Sequence, residues 1–144
     1  MTNNKDYKIN IKVSPTQANI IQEALDLYSR ILVGQLGEIA WVLRKNNKVE
    51  LNSKEMEMID QYLEVIKRCF YPELDSGSHY GIFCDKTPET SKISWDLIQV
   101  IRNKMAWHDH PDGGTTVNFG EPLKSSKVEE LCNVEIENND LGKI

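Results

Sequence analysis

Long apolar runs are missing from this sequence, which has no stretch approaching the roughly 20 apolar residues that a membrane-spanning helix needs. Hydrophobic residues make up 40% of the 144 residues and charged residues 27%, which is typical of a globular protein. Residues 1–6 are polar and do not resemble a signal or transit peptide. We therefore expect a cytoplasmic protein with a single domain over residues 1–124 and a partly ordered acidic tail over residues 125–144.

Cysteine and positive charge are both scarce. Cys69, Cys84 and Cys132 are odd in number and lack metal-ligand spacing, which favours reduced, packed thiols over a disulfide framework. The net charge is −5 and the chain has only four arginines, so it lacks the basic surface that holds long nucleic acid. A small anionic ligand needs only a few local cations and remains compatible with this composition.

Recognisable catalytic motifs are also missing, since no nucleophile elbow, paired-carboxylate signature or His-x-x-x-His spacing occurs. The triplet His108-Asp109-His110 has residue types that bind divalent metals, but only the distant His79, Cys84 and Asp85 could complete a ligand set. A metal site, an anion-contacting loop and a solvated turn therefore remain open interpretations. We predict no metal, no cofactor and no catalytic residue.

Three helices are indicated by apolar spacing and capping signals. Ser14-Pro15-Thr16-Gln17 predicts the start of a first helix, which runs to about Arg44 and contains Gly34 and Gly37. Asn52 caps a second helix that ends at Phe70, and Thr87-Pro88-Glu89 opens a third that reaches Trp107. The two glycines predict a close approach or a bend in the first helix.

Three short strands are indicated by alternating apolar residues, at 7–13, 80–84 and 115–119. The predicted fold class is therefore α+β, predominantly helical, with three main helices and a small sheet.

Two helix faces and one loop carry groups suited to a ligand. Arg30, Gly34, Gly37, Trp41 and Arg44 share a face of the first predicted helix, which suits either a ligand or a helix interface. On the third helix, Trp95 and Arg102 share a side and place a guanidinium beside an indole. The loop Asp112-Gly113-Gly114-Thr115-Thr116 offers backbone N–H groups and hydroxyls to a phosphate, or forms a plain turn.

Residues 20–119 resemble a family of phage and prophage proteins. The resemblance is carried by Glu23-Ala24-Leu25-Asp26-Leu27-Tyr28-Ser29-Arg30, Tyr80-Gly81-Ile82, Gln99-Val100-Ile101-Arg102 with Ala106-Trp107, and the run from Pro111 to Phe119. The chain is similar to the phage Thoeris anti-defence sponge family, whose members sequester cyclic ADP-ribose isomers made by bacterial TIR enzymes.

The resemblance implies a homo-oligomer, dimer-based and in some members hexameric, which encloses the signal without cleaving it. Some members also bind cyclic di- or trinucleotides at a separate site. In the family a basic residue follows the tryptophan-acid pair, whereas His108-Asp109 stands in that place here. We expect the ligand-binding residues to be Arg30, Phe83, Arg102, Trp107, His108, Asp109, Gly113, Gly114, Thr115 and Thr116.

Two other functions stay open from the sequence alone. The first is a metal-dependent phosphodiesterase that uses His108, Asp109 and His110 to activate water on a cyclic nucleotide. The second is a phage structural or protein-interaction factor in which Trp41 and the two helix glycines form an oligomer interface.

Overall fold

The computed structural model describes residues 7–138, which form four α-helices and one turn of 3-10 helix. The helices are α1 (Pro15–Leu32), α2 (Gly37–Asn47), α3 (Ser53–Phe70) and α4 (Glu89–Asp109), and the 3-10 turn is Val117–Phe119. The capping boxes at Ser14 with Gln17 and at Asn52 with Glu55 form as predicted. The predicted starts of α1 and α3 are therefore confirmed, and α4 also begins at Glu89 as predicted, although its N-cap Pro88 makes no side-chain hydrogen bond.

The predicted sheet is wrong, because residues 7–138 contain no strand. Residues 7–14 are neither helical nor paired with a strand, and their alternating apolar side chains remain exposed. Residues 80–84 instead form turns, held by the Cys84 N–H and the Thr87 hydroxyl, which both donate to the Gly81 carbonyl. In 115–119 the Phe119 N–H donates to the Thr116 carbonyl and closes the 3-10 turn. Alternating apolar residues indicate an extended backbone, but a β-ladder also requires a neighbouring strand, which such a pattern does not identify.

The predicted single helix from Pro15 to Arg44 is also wrong, because it breaks between α1 and α2. Gly34 adopts φ +96°, a left-handed conformation that favours glycine. A Cβ at Gly34 would lie 2.9 Å from Leu74 Cδ1, so the close approach that the glycine predicted is present. The break separates Arg30 from Trp41 and removes the continuous five-residue face.

Helices α1 and α4 pack against each other in antiparallel fashion. Near the C-terminal end of α1, the Ser29 hydroxyl donates to the Ser91 carbonyl, and the Ser91 hydroxyl donates to the Ser29 carbonyl, at 3.1 and 3.0 Å. Nearer the other end, Gln22 contacts the Met105 sulfur at 3.4 Å. Two small hydroxyl residues thus let the backbones approach closely where α4 begins.

The chain after α4 turns back and runs along the same helix through residues 118–127, which we call the α4 strap; it is extended at Gly120 and has no regular secondary structure beyond that residue. The Asn103 amide donates to the carbonyls of Asn118 and Gly120, and the Gln99 amide forms a reciprocal pair with the Leu123 backbone. The Asp96 carboxylate accepts from the N–H groups of Ser125 and Ser126 at 2.8 and 2.9 Å. Side chains of α4 therefore replace the neighbouring strand that this backbone lacks.

The interior formed by residues 7–138 is small and unusually polar. The buried apolar residues are Val33, Leu36, Ile98 and Val100, whereas buried polar residues include Ser91, Lys92, Asp96 and Gln99. Of the three cysteines, Cys84 and Cys132 are partly buried, and burial raises the pKa of the Cys132 thiol. Cys69 is exposed, so its prediction as a packing residue is wrong. No helix within residues 7–138 combines the length and apolar character needed to cross a membrane.

Candidate functional site

The Arg102 guanidinium lies over the Trp95 indole on one side of α4. Its Cζ atom is 5.4 Å from the ring centroid, which is cation–π distance. The two residues are seven positions apart, or about two helical turns, and the predicted pairing is confirmed. Both side chains are partly exposed, and Arg102 forms no ion pair with a carboxylate among residues 7–138. An uncompensated guanidinium on an aromatic face can bind a phosphate and lie beside a base.

A second aromatic group closes the loop after α4. The Trp107 indole N–H donates to the Phe119 carbonyl at 3.1 Å, and the two rings meet edge to face at 5.3 Å. Gly113, at φ +86°, lies against the Trp107 ring, and a Cβ on Gly114 would overlap the Phe119 ring. The two glycines are therefore required by aromatic packing, which sequence reasoning did not foresee.

Thr115 and Thr116 follow this aromatic cluster and are exposed. Neither threonine hydroxyl forms a hydrogen bond among residues 7–138, so both can reach a ligand beside the loop. Trp107 retains 44% of its accessible surface despite its hydrogen bond. The loop thus combines a fixed backbone with an exposed aromatic edge and two available hydroxyls.

His108 and Asp109 lie at the end of α4, where their side chains contact each other. His108 Nδ1 lies 3.1 Å from Asp109 Oδ1, and Nε2 lies 2.8 Å from Asn138 Oδ1. Hydrogen bonds to Asn138 and Asp109 raise the pKa of His108 above 6.5. No group of three or more metal-ligating side chains occurs within residues 7–138. His108 instead connects the end of α4 to the tail.

Arg30 is already compensated by acidic and polar neighbours. Its Nε lies 2.8 Å from Asp26 Oδ2, while Nη1 lies 3.0 Å from Gln35 Oε1 and 3.8 Å from Glu38 Oε1. These contacts span the corner between α1 and α2. A phosphate at Arg30 would have to compete with two carboxylates for the same guanidinium.

The predicted site residues do not converge on one place in a single protomer. Arg30 and the 63% exposed Phe83 belong to the end where the loop before α4 meets α1, since the Tyr80 N–H donates to the Val33 carbonyl. Trp107 lies 16 residues, or about 24 Å, along α4 from Ser91, which contacts α1 beside Arg30. Arg102 lies between these two ends, closer to Trp107.

The structure also reveals an acidic cavity that the sequence did not indicate. It has a volume of about 380 Å³ and lies between the α1–α2 corner and α3. Glu38, Asp60 and Glu64 line it, and the buried Lys67 ammonium beneath it donates to the carbonyls of residues 75, 76 and 78 at 2.6–3.0 Å. Because carboxylates predominate and the lysine is fully engaged, this cavity does not suit a diphosphate.

No protein-family model, curated protein or solved structure matches the chain. The features of this chain that bear on its function are therefore Arg102 with Trp95, the loop after α4, and the sequence resemblance carried by residues 20–119.

Proposed function

We propose that the protein binds a cyclic ADP-ribose-type signal in the host cytoplasm and sequesters it without cleavage, as a homo-oligomer of two or six copies. The observation that carries the proposal is Arg102 lying 5.4 Å above the Trp95 indole without a carboxylate partner among residues 7–138. A diphosphate requires cations, and a purine requires a flat surface. The choice of ligand class within cyclic nucleotides is supported by the resemblance alone.

The neighbouring loop supports the same proposal. Trp107 offers a partly exposed indole five residues beyond Arg102, about 7.5 Å along the axis of α4 and about 140° around it. Thr115 and Thr116 offer hydroxyls from a backbone that the packed glycines hold in position. Arg30 and Phe83 lie at the other end of α4, so a second copy would have to bring their side chains to an Arg102 site.

Calorimetric titration with a cyclic ADP-ribose isomer tests this proposal. We expect Arg102→Gln to weaken binding by about 10- to 100-fold, because a charge-assisted phosphate contact contributes about 1.5–3 kcal/mol. Arg44→Gln is the matched control, since Arg44 is exposed on α2 and forms no ion pair within the described residues. Equal affinity in wild type and Arg102→Gln would contradict the assignment of Arg102, and the absence of binding by nucleotide-free wild type would contradict the function.

A further inference from the structure

Helix α3 carries two apolar faces, of which only the inner one is covered within the protomer. Ile59 and Leu63 are partly buried on the side of the buried Lys67, where α3 packs against α2. Around the helix from this inner row lies a second, exposed row, which we call the outer stripe, and Ile66 and Phe70 form its edge next to the inner row. It consists of Met58, Tyr62, Val65, Ile66, Cys69 and Phe70, all of them exposed.

The spacing of the outer stripe is that of a helix-packing seam. Met58, Tyr62, Val65 and Cys69 follow one another at four, three and four residues, the pattern by which one helix packs along another. From Met58 to Phe70 the stripe is about 18 Å long. Tyr62 and Phe70 remain 65% and 76% exposed, so large aromatic surfaces face water in the isolated chain.

The accessible area of the chain shows how much surface one copy leaves uncovered. A compact monomer of this mass exposes about 7,500 Å², whereas this chain exposes 11427 Å². The residues outside 7–138 could account for at most about 2,000 Å² of the excess, at the area per dalton of an unfolded chain. The remaining excess is more than the roughly 800 Å² that each partner buries in a standard interface.

We propose that the outer stripe is the surface on which a second copy of this chain docks, α3 against α3, antiparallel about a two-fold axis. The inference rests on the homo-oligomer that the proposed function includes, and it names the surface that forms it. A two-fold contact uses the same patch on both copies, so a single exposed stripe is sufficient.

Charge beside the stripe favours the antiparallel direction. Glu57 and Arg68 lie on the same flank of the outer stripe, eleven residues apart along α3. Glu57 has no ion pair among residues 7–138, and Arg68 is 70% exposed with Glu64 at 3.6 Å as its partner. In an antiparallel pair centred near Tyr62, Glu57 of each copy comes beside Arg68 of the other. In a parallel pair each flank would face the opposite flank of the other copy, so Glu57 and Arg68 would not meet across the seam.

Sedimentation velocity of the full chain without ligand tests the surface. We expect wild type to sediment as an oligomer and Val65→Asp to dissociate at least tenfold more readily, because a carboxylate would be buried in the seam. Val49→Asp is the matched control, since Val49 is 51% exposed and lies outside α3. Circular dichroism checks that both variants keep their helices. A monomeric wild type, or Val65→Asp that assembles like wild type, would overturn the proposal.

Disulfide crosslinking tests the direction. In a chain with Cys84→Ser and Cys132→Ser, adding Met58→Cys should give crosslinked dimers under oxidation, because an antiparallel pair brings position 58 to Cys69 of the other copy. The same background without Met58→Cys should not crosslink. Crosslinking through Cys69 alone would indicate a parallel pair, and an oligomer that crosslinks in neither chain would place the interface elsewhere. If both tests give the expected result but the oligomer binds no nucleotide, the proposed function is contradicted, whereas the outer stripe remains the interface between copies.

Discussion

Gly113 and Gly114 show how two neighbouring residues can serve packing where the sequence suggests a phosphate loop. The rings of Trp107 and Phe119 occupy the space that a side chain at either position would need. The Gly-Gly pair was recognised in the sequence, but the reason for it lies in aromatic residues six places before and five after. Contacts of that kind depend on how the loop folds back onto α4.

Replacing Gly114 with alanine should destabilise the protein, because the added methyl group would overlap the Phe119 ring. We expect a loss of about 1–3 kcal/mol in the free energy of unfolding, as for other overpacked sites. Gly81→Ala is the control, since no atom lies within 4 Å of a Cβ placed there. Chemical denaturation measures both variants. Equal stability of Gly114→Ala and wild type would show that the aromatic cluster is not packed as described.

His108 should make the attachment of the tail depend on pH. Its hydrogen bonds to Asn138 and Asp109 raise its pKa above 6.5 in the folded protein. The stabilisation is thus fully present below pH 6.5 and is lost as the pH rises through the higher folded pKa. We expect the difference in Tm between wild type and His108→Gln to be largest below pH 6.5 and to shrink as the pH rises through the raised pKa of His108.

Asn138→Ala separates this effect from other titrations, because the Asn138 hydrogen bond is the largest cause of the raised pKa. The Asn138→Ala substitution should remove most of the pH dependence of Tm that His108→Gln removes. A pH profile that neither substitution alters would contradict the role of His108 in holding the tail.

At the scale of the elements, helices and strands differed in how far the sequence could predict them. Capping residues lie next to the turn they stabilise, so Ser14 and Asn52 marked the starts of α1 and α3 correctly. Alternation in residues 7–13 indicated an extended backbone but not a partner for it. Gly34 lies against Leu74, forty residues away, and the sequence showed only that a glycine there is unfavourable in a continuous helix.

Polar residues of α4 were the least predictable part of the fold. Asp96, Gln99 and Asn103 have the composition of a solvated helix face, yet they hold the backbone of the α4 strap. Glu89 continues the row by accepting from the Lys127 N–H and the Ser126 hydroxyl. Desolvation is the largest single effect and raises the pKa of Glu89, but these hydrogen bonds, together with the charges of Lys92 and Lys127, lower it overall. The strap should therefore loosen as the pH falls through that lowered pKa.

Asp96→Asn tests the strap directly, because an amide replaces a carboxylate that accepts two backbone N–H groups and the Ser125 hydroxyl. We expect a loss of about 2–3 kcal/mol in stability and faster hydrogen exchange at Ser125 and Ser126. Asp112→Asn removes a carboxylate from the exposed loop after α4 and serves as the control. Unchanged exchange at the two serines would show that the strap is held by other contacts.

At the scale of the whole molecule, the protomer has too little buried apolar surface for its size. Among residues 7–138 four apolar residues are buried, while exposed apolar side chains lie on residues 7–13, α2 and α3. The predicted ligand-binding residues also do not come together within one copy, because Arg30 and Phe83 lie at one end of α4 and Trp107 lies at the other. The sequence could identify Arg102 with Trp95 because both lie on one helix. It could not show which residues of separate elements, or of separate copies, come together.

The central claim is that the protein holds a cyclic nucleotide without changing it, and one measurement tests this most directly. Nucleotide-free protein is saturated with a cyclic ADP-ribose isomer, washed, denatured by heat and separated from the released nucleotide, which is analysed by chromatography. We predict stoichiometric recovery of the intact cyclic molecule after prolonged incubation. Recovery of a linear product would indicate a phosphodiesterase, and recovery of no nucleotide would indicate a protein-interaction factor; either result would contradict the account.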